Sequence, residues 1–255
     1  MDGLMFVILI YSTVSALPQT KIQDGTPISD ISAFPFAAAL LRSNDTKNFV
    51  QACVGSIISK RSILTSVNCF YKDKPENWRV RVGSNLASSG GVVHEIESFL
   101  KHPDFDITES DNDVGIMRLS TAIVYGKNVQ PVNIVRTNYN VEAGEPVSII
   151  GWGSNAYKEP HSEELRKGDL VIINQDICRS NYNIIAMTVT QNMICAAPSK
   201  EDGVDFCDGD VGAPLLHNNT LVGIASFRDP TCGRQEYPGI YTRIAKYSQW
   251  IKKNK

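Results

Sequence analysis

Hydrophobic and polar residues alternate along short segments of this chain, and glycine, asparagine or proline separates one segment from the next. Alternation with a period of two is typical of β-strands that bury one face. The predicted strands are Phe36 to Leu41, Ala52 to Ile58, Trp78 to Val82, Val114 to Leu119, Val147 to Trp152, Leu170 to Ile173 and Leu221 to Phe227. Regularly spaced short strands favour an all-β sandwich or barrel.

A hairpin and two helices complete the predicted elements. The segment Leu215 to Val222 predicts a hairpin, because Asn218 and Asn219 at its centre tolerate the positive φ of a tight turn. One helix is predicted over Asn174 to Tyr182, with Asn174 as its N-cap. The other is predicted over Ile244 to Lys253, because its apolar residues recur at spacings of three and four.

The N-terminus has the pattern of an export signal. An apolar run from Leu4 to Ile10 is followed by small residues at Val14 to Ala16, where signal peptidase would cut. The run is too short to span a bilayer, and the alternative is a buried N-terminal strand. We therefore predict a signal peptide over residues 1–16, a propeptide over residues 17–21, and a secreted, extracellular protein.

Composition narrows the classes of function. The chain has 255 residues and a formal net charge of −2, without a polybasic stripe, so we expect neither nucleic acid nor a membrane as a partner. Its six cysteines predict three disulfides in an exported protein. Because neither Cys-x-x-Cys spacing nor a calcium-type cluster of acids occurs, we expect no metal and no cofactor. A monomer is expected.

Seven motifs follow one another in an order that resembles the trypsin-type members of the chymotrypsin family, most of all insect digestive-type trypsins. They are Lys21 with Ile22, Cys53 with Cys69, Asp111 to Asp113, Gly151 to Gly153, Asn192 to Cys195, Cys207 to Pro214, and Pro238 to Tyr241. The resemblance covers residues 22–255.

The resemblance implies two six-stranded antiparallel β-barrels packed at right angles, with a cleft between them and a closing C-terminal α-helix. The N-terminal barrel would cover about residues 36–120 and the C-terminal barrel about 130–243. Disulfides would join Cys53 to Cys69, Cys178 to Cys195, and Cys207 to Cys232.

The family's catalytic triad is incomplete in this sequence. Asn68 stands in the slot of the general-base histidine and Val211 in the slot of the nucleophilic serine, so only the orienting acid, Asp113, remains. Valine has no lone pair with which to attack a carbonyl, and an amide does not exchange protons near neutral pH. We therefore expect no functional catalytic residue. The family's frame places the four histidines, His94, His102, His161 and His217, away from the cleft.

Parts of the oxyanion and activation machinery are retained. Gly209 and Val211 occupy the positions whose backbone N–H groups form the family's oxyanion hole. The resemblance implies activation by cleavage after Lys21, followed by pairing of the new amine of Ile22 with Asp210. The charge of Asp24 would oppose that insertion.

The specificity pocket also departs from the family pattern. Asp205 stands where a trypsin binds a substrate lysine or arginine, but Phe206 narrows the floor beside Gly239, and Arg228 replaces a glycine at the mouth. We hypothesise that the Arg228 guanidinium folds inward to Asp205 and plugs the pocket. The alternative is that Arg228 points to solvent.

Three classes of function remain open at this point. The preferred one is a secreted, inactive protease homologue that binds a protease inhibitor, a protease or a protease substrate. The second is a hydrolase with an unrecognised nucleophile. The third is a structural or recognition protein whose partners bind loops such as Arg42 to Phe49 or Tyr71 to Asn77. Acceptor triplets at Asn44 and Asn218 predict N-glycosylation.

Overall fold

The computed structural model describes residues 25–154, 157–199, 205–229 and 231–255. The predicted signal peptide and propeptide, with Lys21, Ile22 and Asp24, lie outside the described residues. The strands in chain order are β1 (Thr26–Pro27), β2 (Ala37–Arg42), β3 (Val50–Ser59), β4 (Ser62–Thr65), β5 (Trp78–Val82), β6 (Val92–Lys101), β7 (Gly115–Leu119), β8 (Asn133–Ile134), β9 (Pro146–Gly151), β10 (Arg166–Ile172), β11 (Met193–Pro198), β12 (Pro214–His217), β13 (Thr220–Phe227) and β14 (Gly239–Arg243). The α-helices are α1 (Gln175–Ile184) and α2 (Ile244–Asn254).

The strands form two closed antiparallel barrels, as the resemblance implied. The first barrel closes in the order β2, β3, β4, β7, β6, β5. The second closes in the order β9, β10, β11, β14, β13, β12, and its strands β9 and β10 pair directly. Strand β1 pairs with β10 from outside, and β8 pairs in parallel with β13. The predicted fold class is confirmed.

Strand β5 shows why the alternating pattern predicted the first barrel correctly. Its Trp78, Val80 and Val82 are buried in the barrel core, while Arg79 and Arg81 between them lie outside it. Alternate side chains on a strand point to opposite faces, so this sequence can bury only one set. All seven predicted strands overlap observed ones.

Six of the observed strands, β1, β4, β6, β8, β11 and β14, lie outside the predicted segments. Every residue of β4 and β11 is buried, so neither strand shows the alternation that would have marked it. Strand β14 begins at Gly239, and glycine at a strand end reads locally as a turn.

The predicted hairpin and helices are observed. Asn218 and Asn219 have φ angles of 49° and 58°, and they turn β12 into β13. Asn174 caps α1 by accepting hydrogen bonds from the backbone N–H groups of Asp176 and Ile177. Neither α1 nor α2 has the length and apolar run that crossing a bilayer requires, and the same holds for every helix in the described ranges.

Candidate functional site

The general-base position lies on a 3₁₀ turn that follows β4. Ser66 caps this turn by accepting a hydrogen bond from the backbone N–H of Asn68. The Asn68 side-chain Nδ2 donates to Asp113 Oδ2 at 3.0 Å, and its backbone N–H donates to Asp113 Oδ1 at 3.1 Å. Asn68 therefore reproduces one hydrogen bond that an imidazole would make to this acid, but it cannot accept a proton from a nucleophile.

Asp113 is buried where the two barrels meet. Besides Asn68, the hydroxyls of Ser66 and Ser226 each donate to its Oδ2 at 2.6 Å. The Thr242 hydroxyl donates to the Asp113 backbone carbonyl at 2.7 Å. Burial raises the pKa of the Asp113 carboxyl, although the hydrogen bonds from Ser226, Ser66 and Asn68 act in the opposite direction. The carboxylate has donors on both oxygens without any histidine.

Val211 lies on the loop that leads from Cys207 to β12. Its backbone carbonyl accepts from the N–H of Val54 at 2.9 Å, which joins this loop to the first barrel. The next residue, Gly212, has a φ of 87°, and a Cβ there would lie 2.1 Å from Thr65 Oγ1. Glycine is therefore required at position 212 for the loop to approach the first barrel. The loop therefore packs closely against the first barrel although valine, which is not a nucleophile, occupies the nucleophile position.

Gly209 is held in place by two residues of neighbouring loops. Its carbonyl accepts from Gln51 Nε2 at 2.8 Å, and a Cβ at this position would lie 2.8 Å from His161 Cε1. Within the described residues, the N–H groups of Gly209 and Val211 donate to no protein acceptor. Their role as an oxyanion hole stays a prediction.

The structure corrects the predicted position of His161. This histidine was expected away from the cleft, but its ring lies against Gly209, and its Nδ1 is 3.0 Å from the Gln51 carbonyl oxygen. A long-range contact between two loops produces this placement, and the local pattern carried no signal for it. The Ser154 hydroxyl on the paired segment is buried and has no hydrogen-bond partner among the described residues. Among the described residues, no hydroxyl forms a hydrogen bond with His161.

The other three histidines lie elsewhere. His94 Nδ1 is 2.9 Å from the Thr121 hydroxyl, and His217 Nδ1 is 2.8 Å from that of Tyr139. His102 packs against Tyr247 on α2.

Asp210 is buried beside the Gly151 to Gly153 motif. Its Oδ1 accepts from the Gly153 N–H at 2.7 Å, and its Oδ2 accepts from the Cys207 N–H at 3.2 Å. A Cβ on Gly151 or Gly153 would lie 2.0 Å or 2.2 Å from the carboxylate oxygens, so only glycine fits at either position. Burial raises the pKa of Asp210 to about 6. The two hydrogen bonds fix the position of the Asp210 carboxylate. Its pairing with the amine of Ile22 stays a prediction.

The floor of the specificity pocket is filled by protein atoms. Asp205 is only 4 % exposed, and its Oδ1 accepts from the Phe206 N–H at 2.8 Å and from the Tyr241 hydroxyl at 3.3 Å. The Phe206 ring packs edge-on against Tyr241 and directly over Gly239, where a Cβ would lie 2.6 Å from the ring. Burial raises the pKa of Asp205 to about 7. Tyr241 was not predicted as a pocket residue.

Arg228 folds into the protein, but its ion pair is not the predicted one. Its side chain is 11 % exposed, which excludes the solvent-pointing alternative. The guanidinium donates to Asp208 Oδ1 and to the Asp229 carbonyl oxygen, each at 2.7 Å. The ion-pair partner of Arg228 is therefore Asp208, where Asp205 was predicted. Arg228 is nevertheless close enough for its charge to lower the pKa values of Asp205 and Asp210, against the larger effect of burial.

The described residues contain three disulfides, and an ion pair joins the two predicted loops. Cysteines pair as the resemblance implied, Cys53 with Cys69, Cys178 with Cys195 and Cys207 with Cys232. Arg42 and Asp73 form an ion pair at 2.7 Å, which joins the loop after β2 to the loop before β5. Asn44 and Asn218 are both exposed, and their glycosylation stays a prediction.

Comparison with known proteins agrees with this geometry. The family model described as Trypsin matches residues 22–251. The chain is 38 % identical to Trypsin CFT-1 of Choristoneura fumiferana and 38 % identical to Trypsin, alkaline C of Manduca sexta, over 98 % of this chain and 98 % of each relative. The solved structure of neuropsin, a serine protease expressed in the limbic system of mouse brain, has a TM-score of 0.78 and 28 % identity, covering 91 % of this chain and 98 % of that one. The chain therefore belongs to the trypsin family of serine proteases.

Proposed function

We propose that this chain is a secreted trypsin-family protein that lacks peptidase activity and acts by binding other proteins. The observation that carries the proposal is the hydrogen bonding of Asp113, which accepts from Ser66, Asn68 and Ser226 and has no imidazole to orient. In the triad mechanism the acid works only through a histidine that exchanges a proton with the nucleophile. Here both the base and the nucleophile are replaced, by Asn68 and Val211.

The filled specificity pocket supports the same proposal. A trypsin substrate places a lysine or arginine side chain against the carboxylate at the pocket floor. In this chain Phe206 and Tyr241 cover Asp205, and Arg228 lies half-buried at the mouth. A substrate cation would have to displace these side chains and compete with Arg228 for the same negative region. These side chains therefore oppose the binding of a substrate lysine or arginine in this pocket.

The retained scaffold suits a binding role. The available N–H groups of Gly209 and Val211 offer a grip on a peptide carbonyl, as they would on a substrate. Such a surface fits a decoy for protease inhibitors, a competitor for protease substrates, or an accessory to an active protease. Three disulfides are consistent with an extracellular location.

A labelling experiment tests the absence of activity. The purified, folded chain is treated with a fluorophosphonate probe and separately with a peptide library, before and after cleavage at Lys21. We expect neither covalent label nor cleaved peptide above a heat-denatured control. A label on a single residue, or cleavage, that requires the folded chain would establish the hydrolase alternative.

Affinity capture tests the binding role. The mature chain and its Arg228→Gly variant are used to capture proteins from the native extracellular fluid, with Arg234→Gly as a matched control. Arg234 is also an arginine near this loop, but its side chain is 43 % exposed and pairs with Asp229. A partner gained or lost only with Arg228→Gly places binding in the cleft. No specific partner for any form would count against the proposal.

A recognition surface outside the cleft is the second candidate. The ion pair of Arg42 with Asp73 fixes the two predicted loops relative to each other, and Asp73 also accepts from the Trp78 indole N–H at 2.9 Å. Fixed loops lose little conformational entropy when they bind. A partner that is retained by Arg228→Gly and lost with Arg42→Ala would favour this candidate.

A further inference from the structure

A cavity of about 720 Å³ lies between the segment that joins the two barrels and one face of helix α2. Residues 132–138 line one side, and Ser248, Gln249, Lys252 and Lys255 line the other. None of the cleft residues lines this cavity. Its volume is in the range of cavities that bind ligands.

One face of α2 forms the second wall. Residues 248 and 252 are separated by four positions, so their side chains emerge on the same side of the helix. Ile251 is completely buried and anchors the helix to the core, while Lys252 and Lys255 are exposed. The helix therefore presents Lys252 to the cavity, and Lys255 lines the cavity from the position that follows the last helical residue, Asn254.

The cavity carries an excess of positive charge. Arg136, Lys252 and Lys255 line it, and no aspartate or glutamate side chain does. Within the described part of the chain, none of these three cations forms an ion pair, in contrast to arginines such as Arg42, Arg61 and Arg79. The net charge of the groups that line the cavity stays positive even when an α-carboxylate on Lys255 is counted. Unpaired cations that converge on a cavity attract an anionic group.

We propose that this cavity is a docking site for an acidic segment of a protein partner. The three cations would meet carboxylates of the segment, since charge complementarity is the strongest feature of the cavity. The amides of Asn133, Asn138 and Gln249 each offer both a donor and an acceptor, which matches the N–H and C=O groups of a peptide backbone. Three cations confined to one cavity suit a short peptide segment better than a long sulfated polysaccharide.

The proposal is tested by the binding of a fluorescein-labelled hexaglutamate peptide to the mature chain, followed by fluorescence anisotropy. We expect saturable binding that weakens as salt is raised, because exposed charges are screened. Charge reversal in Arg136→Glu with Lys252→Glu should raise Kd at least about tenfold. The control is Lys246→Glu with Lys253→Glu, which makes the same change in net charge on exposed lysines of α2 that do not line the cavity. The control should leave Kd within about twofold of the wild type.

Three outcomes would overturn the proposal. One is the absence of saturable hexaglutamate binding. Another is equal weakening in both double variants, which would show a general charge effect. The third is tighter binding of a heparin-derived hexasaccharide through the same residues, which would indicate a glycan site. Urea unfolding checks that each variant folds, and Arg136→Gln with Lys252→Gln provides a milder pair that should also weaken binding.

This site is independent of the cleft. Arg228→Gly should leave the affinity for hexaglutamate unchanged, because Arg228 does not line the cavity. Detection of peptidase activity would end the proposed function and leave the docking site standing. The two proposals therefore fail separately.

Discussion

Two side chains, Phe206 and Arg228, account for the altered specificity pocket. Phe206 is 1 % exposed and covers the floor, and the Arg228 guanidinium is bound to Asp208 at the mouth. The carboxylate of Asp205 is still present behind them. This cover leaves Asp205 only 4 % exposed.

Benzamidine binding measures this access directly. The wild type should show no saturable binding up to about 1 mM, because an amidinium cannot reach Asp205. The variant Phe206→Ser with Arg228→Gly should bind benzamidine with Kd values in roughly the micromolar range, through a charge-assisted pair with Asp205. Titration calorimetry checks both forms, with Arg234→Gly as the control. Micromolar binding by the wild type would show that the pocket is open.

The buried carboxyl of Asp205 should make the free energy of unfolding depend on pH. Its pKa is raised to about 7 by burial, while hydrogen bonds from the Phe206 N–H and the Tyr241 hydroxyl and the charge of Arg228 act in the opposite direction. Between about pH 4 and pH 7 the folded state therefore holds a proton that the unfolded state releases. The free energy of unfolding should fall as pH rises through this window. Asp210, whose pKa is raised to about 6, contributes with the same sign.

Asp205→Asn should flatten this dependence. The wild type should lose on the order of 2 kcal/mol of stability between pH 5 and pH 8, and the variant should lose less because the contribution of Asp205 is removed while those of Asp113 and Asp210 remain. Urea unfolding at the two pH values checks the difference. Identical losses in the two proteins would show that Asp205 does not titrate in this window.

Helix α1 is stabilised at its first turn by one side chain. Asn174 Oδ1 accepts from the N–H of Asp176 at 2.9 Å and from that of Ile177 at 3.2 Å. These are N–H groups that have no partner inside the helix. Asn174→Ala should lower the free energy of unfolding by about 1 kcal/mol. Ser180→Ala, an exposed change on the same helix, is the matched control, and an equal loss in both would contradict the role of the cap.

Sequence patterns predicted those elements whose signal is local. The alternation in β5, the cap at Asn174 and the paired asparagines at 218 and 219 each express a rule that acts over a few residues. The contact of Gln51 with Gly209 joins residues that are 158 positions apart, and nothing near either residue indicates it. The same is true of His161, which reaches Gly209 only because two loops meet. Loop geometry at the site could not be derived from local patterns.

The replaced triad positions and a hydrogen bond from Asn68 to Asp113 could be inferred from the sequence, but the other two donors to this carboxylate could not. Ser66 and Ser226 have no distinctive pattern around them, and they reach the carboxylate from different barrels. The ion pair of Arg228 with Asp208 was missed for a related reason. The family resemblance places several acidic residues near Arg228. The conformation of the folded loop determines which of them forms the ion pair.

The two barrels are joined by hydrogen bonds that converge on Asp113. Ser66 and Asn68 follow β4 of the first barrel, while Ser226 and Thr242 lie on β13 and β14 of the second. In a working triad this acid serves catalysis. In this chain the donors to its side chain, Ser66, Asn68 and Ser226, come from both barrels, so Asp113 links the two barrels by hydrogen bonds.

Asp113→Asn tests this structural role. An amide presents a donor where the carboxylate accepts, so at least one of the hydroxyls of Ser66 and Ser226 or the Asn68 amide would be left without its acceptor. We expect a loss of about 3 kcal/mol in the free energy of unfolding, measured in urea. Asp104→Asn, an exposed change, should stay within about 0.5 kcal/mol of the wild type.

A double-mutant cycle separates this network from a general effect of burial. Ser66→Ala with Ser226→Ala removes two of the donors, and it should cost clearly less in the Asp113→Asn background than in the wild type, because the same hydrogen bonds are lost only once. Additive losses would show that the serines and the carboxylate stabilise the fold independently. Coupling would show instead that Asp113 stabilises the fold through the hydroxyls of Ser66 and Ser226, which reach it from different barrels.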